Sequence, residues 1–421
     1  MTKVFQVIII FCLLQVICSV EGDDTNKQVR LRRIPRASSR HVWRTTSIAN
    51  KYFAHRLFRA VARATPDGNF FISPYAVASG LSMTLYGARG RTKEQIINTL
   101  GYSLVDSNRI PRLYEKMLEE LITPDHGFTL VSANRLFGEK TEDFEEQFIR
   151  GTEKYYGAPL MQVDFSGNPD LARATINRWV ANVTQNTIQE AMPPDTISSN
   201  TKLALVSTLY FNGQWKVPFL RQKRANFRRF DGEVYETKFM QAEMLLSLSD
   251  SFELAAQWIQ IPYHSSSGKY RVAMEIILPY DRSKAGMQVL EKRLTEDTLF
   301  YTTSRKRKQS VQLMLPQFRL EYGRDLQEIL ARMGIEDLFS VAAADLSGIS
   351  RDNNLAVGAM EHKTFLDVNM EGTTAGASLG QDVVFKSNPV QIDCNHPFIV
   401  ILRETYTKMP LFMGRIAEPG R

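Results

Sequence analysis

Asp367-Val368-Asn369-Met370-Glu371-Gly372-Thr373-Thr374-Ala375-Gly376-Ala377-Ser378 runs on through Leu379-Gly380-Gln381-Asp382-Val383-Val384-Phe385 to Lys386-Ser387. A β-strand sends successive side chains to opposite faces. On that spacing Thr373, Ala375, Ala377, Leu379, Gln381 and Val383 share one face, and Thr374, Gly376, Ser378, Gly380 and Asp382 share the other. The first face is small or apolar apart from Gln381, and the charge at Asp382 falls on the second. No proline lies between Gly372 and Lys386, so no donor is missing from a backbone ladder. The stretch can serve as a strand inside a sheet. Lys386 is also the only Lys or Arg between Lys363 and Arg403.

The flanks place this stretch late in a mixed fold. Phe398–Leu402 is a continuous apolar run fit for a buried strand, and Val272-Met274-Ile276-Leu278 and Val311-Leu313-Leu315 show β spacing. Before Thr201 the pattern is helical. Ile48, Phe53, Leu57, Ala60 and Val61 form one face, Gly87 and Gly90 interrupt a helical pattern over Ser82–Leu100, and Leu113–Ile122 and Pro169–Met192 read as helices. Thr92-x-x-Gln95 has capping-box spacing. Helices first and strands later give an α+β fold. With no linker or internal repeat after the first 44 residues, one large domain is expected from 45 to 421.

The N-terminus is separate in kind. Lys3 precedes a mostly apolar run from Val4 to Val20, with small residues around Ser19 and Gly22 and then Asp23-Asp24. Residues 1–22 therefore read as a secretory signal peptide, and the protein as secreted. Cys12 and Cys18 leave with it, so Cys394 stays alone and reads as a packed, inert thiol. Residues 23–44 hold seven basic residues against two acidic ones, +5 of the formal +7. They read as a basic, solvated arm open to a heparin-like polyanion, with paired-base spacing for convertase cleavage at Arg30-Leu31-Arg32-Arg33. Elsewhere no GxSxG, HExxH, CxxC or Walker pattern occurs, and the six histidines show no ligand spacing. No enzyme activity, cofactor or metal is expected, nor a nucleic-acid or membrane partner, and the chain reads as a monomer. Composition and periodicity alone leave the function open.

Several ordered segments resemble the serpin family. They are Asn69-Phe70-Phe71-Ile72-Ser73-Pro74, Thr84-Leu85-Tyr86-Gly87-Ala88, Leu209-Tyr210-Phe211-Asn212-Gly213-Gln214-Trp215 and Leu315-Pro316-Gln317-Phe318. Met333 to Phe339, Asp345 to Ile349, His396-Pro397-Phe398 and Pro410 to Ile416 continue the series. The resemblance covers nearly all of residues 45–419. It implies three β-sheets, eight or nine helices and an exposed C-terminal reactive loop at about 370–390. It further implies a hinge of Glu371, Gly372, Thr373, Thr374, Ala375, Gly376, Ala377 and Ser378, and a reactive bond Lys386-Ser387, reached by family spacing from both Gly372 and Pro397.

The function so implied is suicide inhibition. A trypsin-like serine protease, whose specificity pocket holds a buried carboxylate, cuts after Lys386 and is trapped as the loop enters the main sheet. The alternative is a non-inhibitory binding, carrier or chaperone serpin. Ser73, His362 and Trp215 match the family's buried shutter and breach positions. Met370, Gln317, Ala76 and Ser207 depart from the family pattern, and the last two thin a buried hydrogen-bond network. Asn182-Val183-Thr184 is a glycosylation sequon, with Asn182 the acceptor.

Overall fold

In a computed structural model of the chain, the described residues are 39–121, 128–266, 272–301, 307–351, 354–370 and 388–420. They hold nine α-helices: α1 (Ser39–Ala64), α2 (Pro74–Gly87), α3 (Gly90–Leu100), α4 (Ile110–Leu121), α5 (Glu146–Tyr156), α6 (Pro169–Val183), α7 (Lys284–Arg293), α8 (Glu296–Tyr301) and α9 (Gln327–Arg332). The strands are β1 (Phe70–Ile72), β2 (Phe128–Glu139), β3 (Met161–Val163), β4 (Leu203–Gly213), β5 (Arg221–Arg228), β6 (Val234–Ser251) and β7 (Ala256–Pro262). They continue with β8 (Val272–Pro279), β9 (Arg307–Pro316), β10 (Phe318–Asp325), β11 (Val357–Val368), β12 (Val390–Asp393), β13 (Phe398–Glu404) and β14 (Pro410–Ile416). None of these helices is long and apolar enough to cross a membrane.

Five strands in the order β10-β11-β4-β2-β3 form one sheet. The other nine form a second network, β1-β14-β13-β8-β7-β6-β9-β12, with β5 also on β6. The three expected sheets appear as two hydrogen-bonded networks because β6 runs 18 residues through both smaller ones. Its first part pairs with β5 and β9, its last with β7.

The main sheet buries both faces, and β4 shows how. Leu203, Leu205, Leu209 and Phe211 face the central core, while Ala204, Val206 and Tyr210 belong to a second cluster with Ala172, Ile176 and Val180 of α6. A strand covered on both sides reads as a continuous apolar run. α2 supports the inner face, so closely that a Cβ on Gly80 would sit 3.3 Å from Leu205.

Most elements stand where periodicity placed them, with informative exceptions. α1 begins at Ser39, six residues inside the segment read as arm, and Ile48 is exposed while Phe53, Leu57 and Val61 are fully buried. α6 ends at Val183, not Met192, because Gln185 and Asn186 take positive φ. The capping box at Thr92 does not form. Arg89 is the α3 N-cap without a side-chain bond, Thr92 Oγ1 accepts from the Asp345 N–H, and Gln95 Oε1 accepts from the N–H groups of Glu336 and Asp337. These side chains tie α3 to the segment after α9 instead.

Candidate functional site

At the centre of the main sheet β11 and β4 run parallel, paired from Val357↔Leu203 to Phe365↔Tyr210 with a register shift after Val357. Their outer neighbours are antiparallel, β10 to β11 and β2 to β4. Pairing of β11 with β4 stops at Phe365, although β11 continues to Val368 and β4 to Gly213. The two strands part at that end. The chain leaves β11 there, and after residues 371–387 it is next in β12, on the larger network.

One residue spans the parallel seam. His362 on β11 lies opposite Ser207 on β4 and is fully buried. The Ser73 N–H donates to His362 Nε2 at 2.9 Å, so the ring proton sits on Nδ1, which donates to the Ser207 carbonyl at 2.8 Å. Ser73 is placed by its own role as N-cap of α2. Its Oγ accepts from the Ala76 N–H at 3.1 Å, with Pro74 at the first turn, and donates to the Leu411 carbonyl at 2.7 Å. Burial holds the His362 pKa down at about 4, against the acceptor at the Ser207 carbonyl. The Ser207 hydroxyl is buried without a partner among the described residues. The thinned network expected at Ser207 is present as an orphan oxygen.

A second fixture sits where the strands part. Trp215 Nε1 donates to the Asn369 carbonyl at 2.9 Å, and the Phe219 N–H donates to the Met370 carbonyl at 3.3 Å. The indole is stacked on Tyr263 with centroids 4.4 Å apart, and Phe219 meets it edge-on at 5.7 Å. The two residues before position 371 are thus held by backbone carbonyls to an aromatic cluster. Met370 packs partly buried against the core, which suits an apolar residue at a position where the family often carries a charge. Trp215 was legible in the sequence. Tyr263 and Phe219 were not, since they come from a strand end and a loop with no local pattern.

Structure therefore brings Ser73 and His362 together, and places Trp215 at the end of the same seam. Glu371 to Ser378, Lys386 and Ser387 lie outside the described residues, as do the signal peptide and the basic arm. Asn182 is exposed at the end of α6, while the Thr184 hydroxyl of the sequon is buried, donating to the Val180 carbonyl and accepting from the Ile188 N–H. Cys394 is buried and free, and burial pushes its thiol well up from the usual range. No metal-ligand cluster occurs among the described residues.

A family model described as Serpin (serine protease inhibitor) matches residues 48–419. The horse leukocyte elastase inhibitor is 35% identical over 381 residues, covering 89% of this chain and 99% of the relative. Among solved structures, Serpin48 of the insect Tenebrio molitor, titled a highly specific serpin, superposes with a TM-score of 0.79 at 27% identity, over 91% of this chain and all of that one. Human thyroxine-binding globulin, in complex with its ligand, gives 0.82 at 26% identity, over 90% and 100%.

Proposed function

The chain belongs to the serpin (serine protease inhibitor) family, and on that premise we propose that it is a secreted inhibitor of a trypsin-like serine protease, cut at Lys386-Ser387. The observation that carries the reading is the parallel seam between β11 and β4, open at the end where the chain leaves for the reactive loop. A strand returning from β11 would run antiparallel to both of its new neighbours. It would replace one parallel pairing, the weaker kind per residue, by two antiparallel ones. The fourteen residues Thr373–Lys386 suffice to line β11 and β4, which are 12 and 11 residues long.

The chemistry belongs to the protease. Its serine oxygen adds to the Lys386 carbonyl, the bond to Ser387 nitrogen breaks, and that amine takes the proton. An ester then joins Lys386 to the enzyme. Insertion of the freed segment carries the ester roughly 45 Å at about 3.3 Å per residue, and distorts the protease before water can attack. Until then His362 bridges the paired part of the seam, and Trp215, stacked on Tyr263, holds the end of β11. This chain supplies bait and a strand, and no catalytic group.

Incubation with trypsin and, in parallel, with leukocyte elastase tests the assignment. The expected result is an SDS-resistant complex with trypsin and a released fragment beginning at Ser387. Clean cleavage with full trypsin activity retained would defeat inhibition, and a complex only with elastase would move the bond off Lys386. The relatives' names favour that elastase outcome, whereas the lone cation at Lys386 favours trypsin. The carrier alternative draws on thyroxine-binding globulin, a neighbour whose fold binds a small ligand. Clean cleavage is its signature.

Secretion rests on the signal-like run at 4–20. N-terminal sequencing of exported protein should start near Asp23, or at Ile34 if a convertase cuts after Arg33. A heparin-like partner would use the basic arm and Arg305-Lys306-Arg307-Lys308, of which Arg307 and Lys308 are exposed at the start of β9. An inhibition rate unaffected by heparin would remove that partner.

A further inference from the structure

Between the second half of α1 and α9 lies a pocket of ≈ 360 Å³ whose lining includes Arg56, Arg59, Arg63 and Arg332 and no carboxylate. From this we infer a binding site for a compact oxyanion, a phosphate- or sulfate-type group. Three observations converge on it. Across its 26 residues α1 contains no Asp or Glu, so no neighbour on the helix can neutralise its bases. Arg56, Arg59 and Arg63 follow one another at spacings of three and four, which stacks like charges on one face. Among the described residues Arg59 and Arg63 have neither an ion pair nor a hydrogen bond.

The other side chains of the pocket are already placed. Arg56 donates to the Met333 carbonyl at 2.8 Å and lies 5.4 Å over the Tyr52 ring. Arg332 pairs with Glu328. Ala60, Ile329 and Met333 supply an apolar floor. His55 Nε2 is buried with no partner among the described residues, and burial, then Arg59 and Arg56, hold its pKa down at about 4. Two guanidinium groups with spare donors, an unused ring nitrogen and a pocket in the size range of small-ligand sites make a receptor for a fork-shaped acceptor. An ion seated there relieves the arginine repulsion. It also gives His55 a reason to accept a proton.

The group can arrive free or at the end of a sulfated sugar chain, and the experiment separates the two. Calorimetric titration of the full secreted chain with inorganic phosphate, inorganic sulfate and a sulfated oligosaccharide is compared with sodium chloride at equal ionic strength. The inference expects saturable binding of at least one inorganic ion, weakened at least tenfold in Arg59→Ala/Arg63→Ala. Saturation by the oligosaccharide alone, lost in the same variant, assigns the site to the chain-borne group. Binding unchanged in the variant, or no saturable binding of any of the three, overturns the site. A readout independent of affinity is the His55 ring titration by NMR, assigned with His55→Gln. Bound ion should raise its pKa by one unit or more, against Arg56, Arg59 and Arg63 on α1 and Arg332 and Glu328 on α9, and no shift on saturation also counts against the inference.

Discussion

Ser207 contributes to the seam through its carbonyl, and its hydroxyl through nothing. A buried hydroxyl without a partner carries a desolvation cost of about 1–3 kcal/mol that no bond repays. Ser207→Ala should therefore leave the thermal midpoint unchanged or raise it, and a fall equivalent to more than about 1 kcal/mol would show that the oxygen is bonded after all. The neighbouring pair Glu361 and His362 makes a sharper case. Burial lowers His362 to about 4, and burial followed by Asp325 across the strand pair raises Glu361 to about 7. For His362 the unfolded chain binds the extra proton, so its contribution is present above about 6.5 and is lost on acidification towards 4. For Glu361 the folded chain binds it, so stability is gained as pH falls from 7 towards 4.5. Between 4.5 and 6.5 the two oppose each other on adjacent residues of one strand. Glu361→Gln removes the compensation, and the fall in stability with acid should steepen by about 1.4 kcal/mol per pH unit. Unfolding midpoints of the two proteins across that window measure it. Parallel lines would mean that Glu361 is ionised in the fold.

Among the elements, the end of β11 is held by the indole donor of Trp215 and the backbone donor of Phe219. Trp215→Phe keeps an aromatic ring against Tyr263 and Phe219 but deletes the bond to the Asn369 carbonyl. At about 1 kcal/mol for one such bond, exchange of the Phe219 amide, which donates to Met370, should quicken about fivefold. An unchanged rate would place the restraint in the stacking instead. The same scale shows what a sequence can carry. β13 was legible because a strand buried on both sides leaves a continuous apolar run, and β8 through the β spacing of Val272, Met274, Ile276 and Leu278. The overrun of α6 has a physical origin: Ile188, Ala191 and Met192 are buried in the cluster beneath α6, so packing kept a helix-like apolar spacing after the backbone had turned at Gln185 and Asn186. Thr92 and Gln95 mimicked a capping box while serving contacts with residues some 240 positions away. Ser73, His362 and Trp215 were visible through family resemblance. Their partners, the carbonyls of Leu411, Ser207 and Asn369, were not, because a backbone acceptor leaves no mark on side-chain identity.

For the whole molecule the question is whether the intact fold is the most stable one its residues allow. The seam joins two strands by the weaker pairing and is bridged by one imidazole, and the segment that could fill it is attached to the end of one of those strands. Cutting at Lys386 releases that segment from β12. A new antiparallel strand of about ten paired residues, at around 1 kcal/mol net per backbone bond, corresponds to a rise in midpoint of roughly 10 °C or more. Thermal unfolding of intact and Lys386-cleaved protein should show that gap. Ala377→Arg puts a long cation on the face that is small or apolar apart from Gln381, so the cleaved variant should show little gain and should lose its covalent complex with trypsin. Asp382→Asn, on the opposite face, should keep both. Equal losses in the two variants would break the assignment of faces. A cleaved wild-type protein no more heat-resistant than the intact one would remove the spring itself, leaving a chain with a serpin's fold that serves as a binding protein.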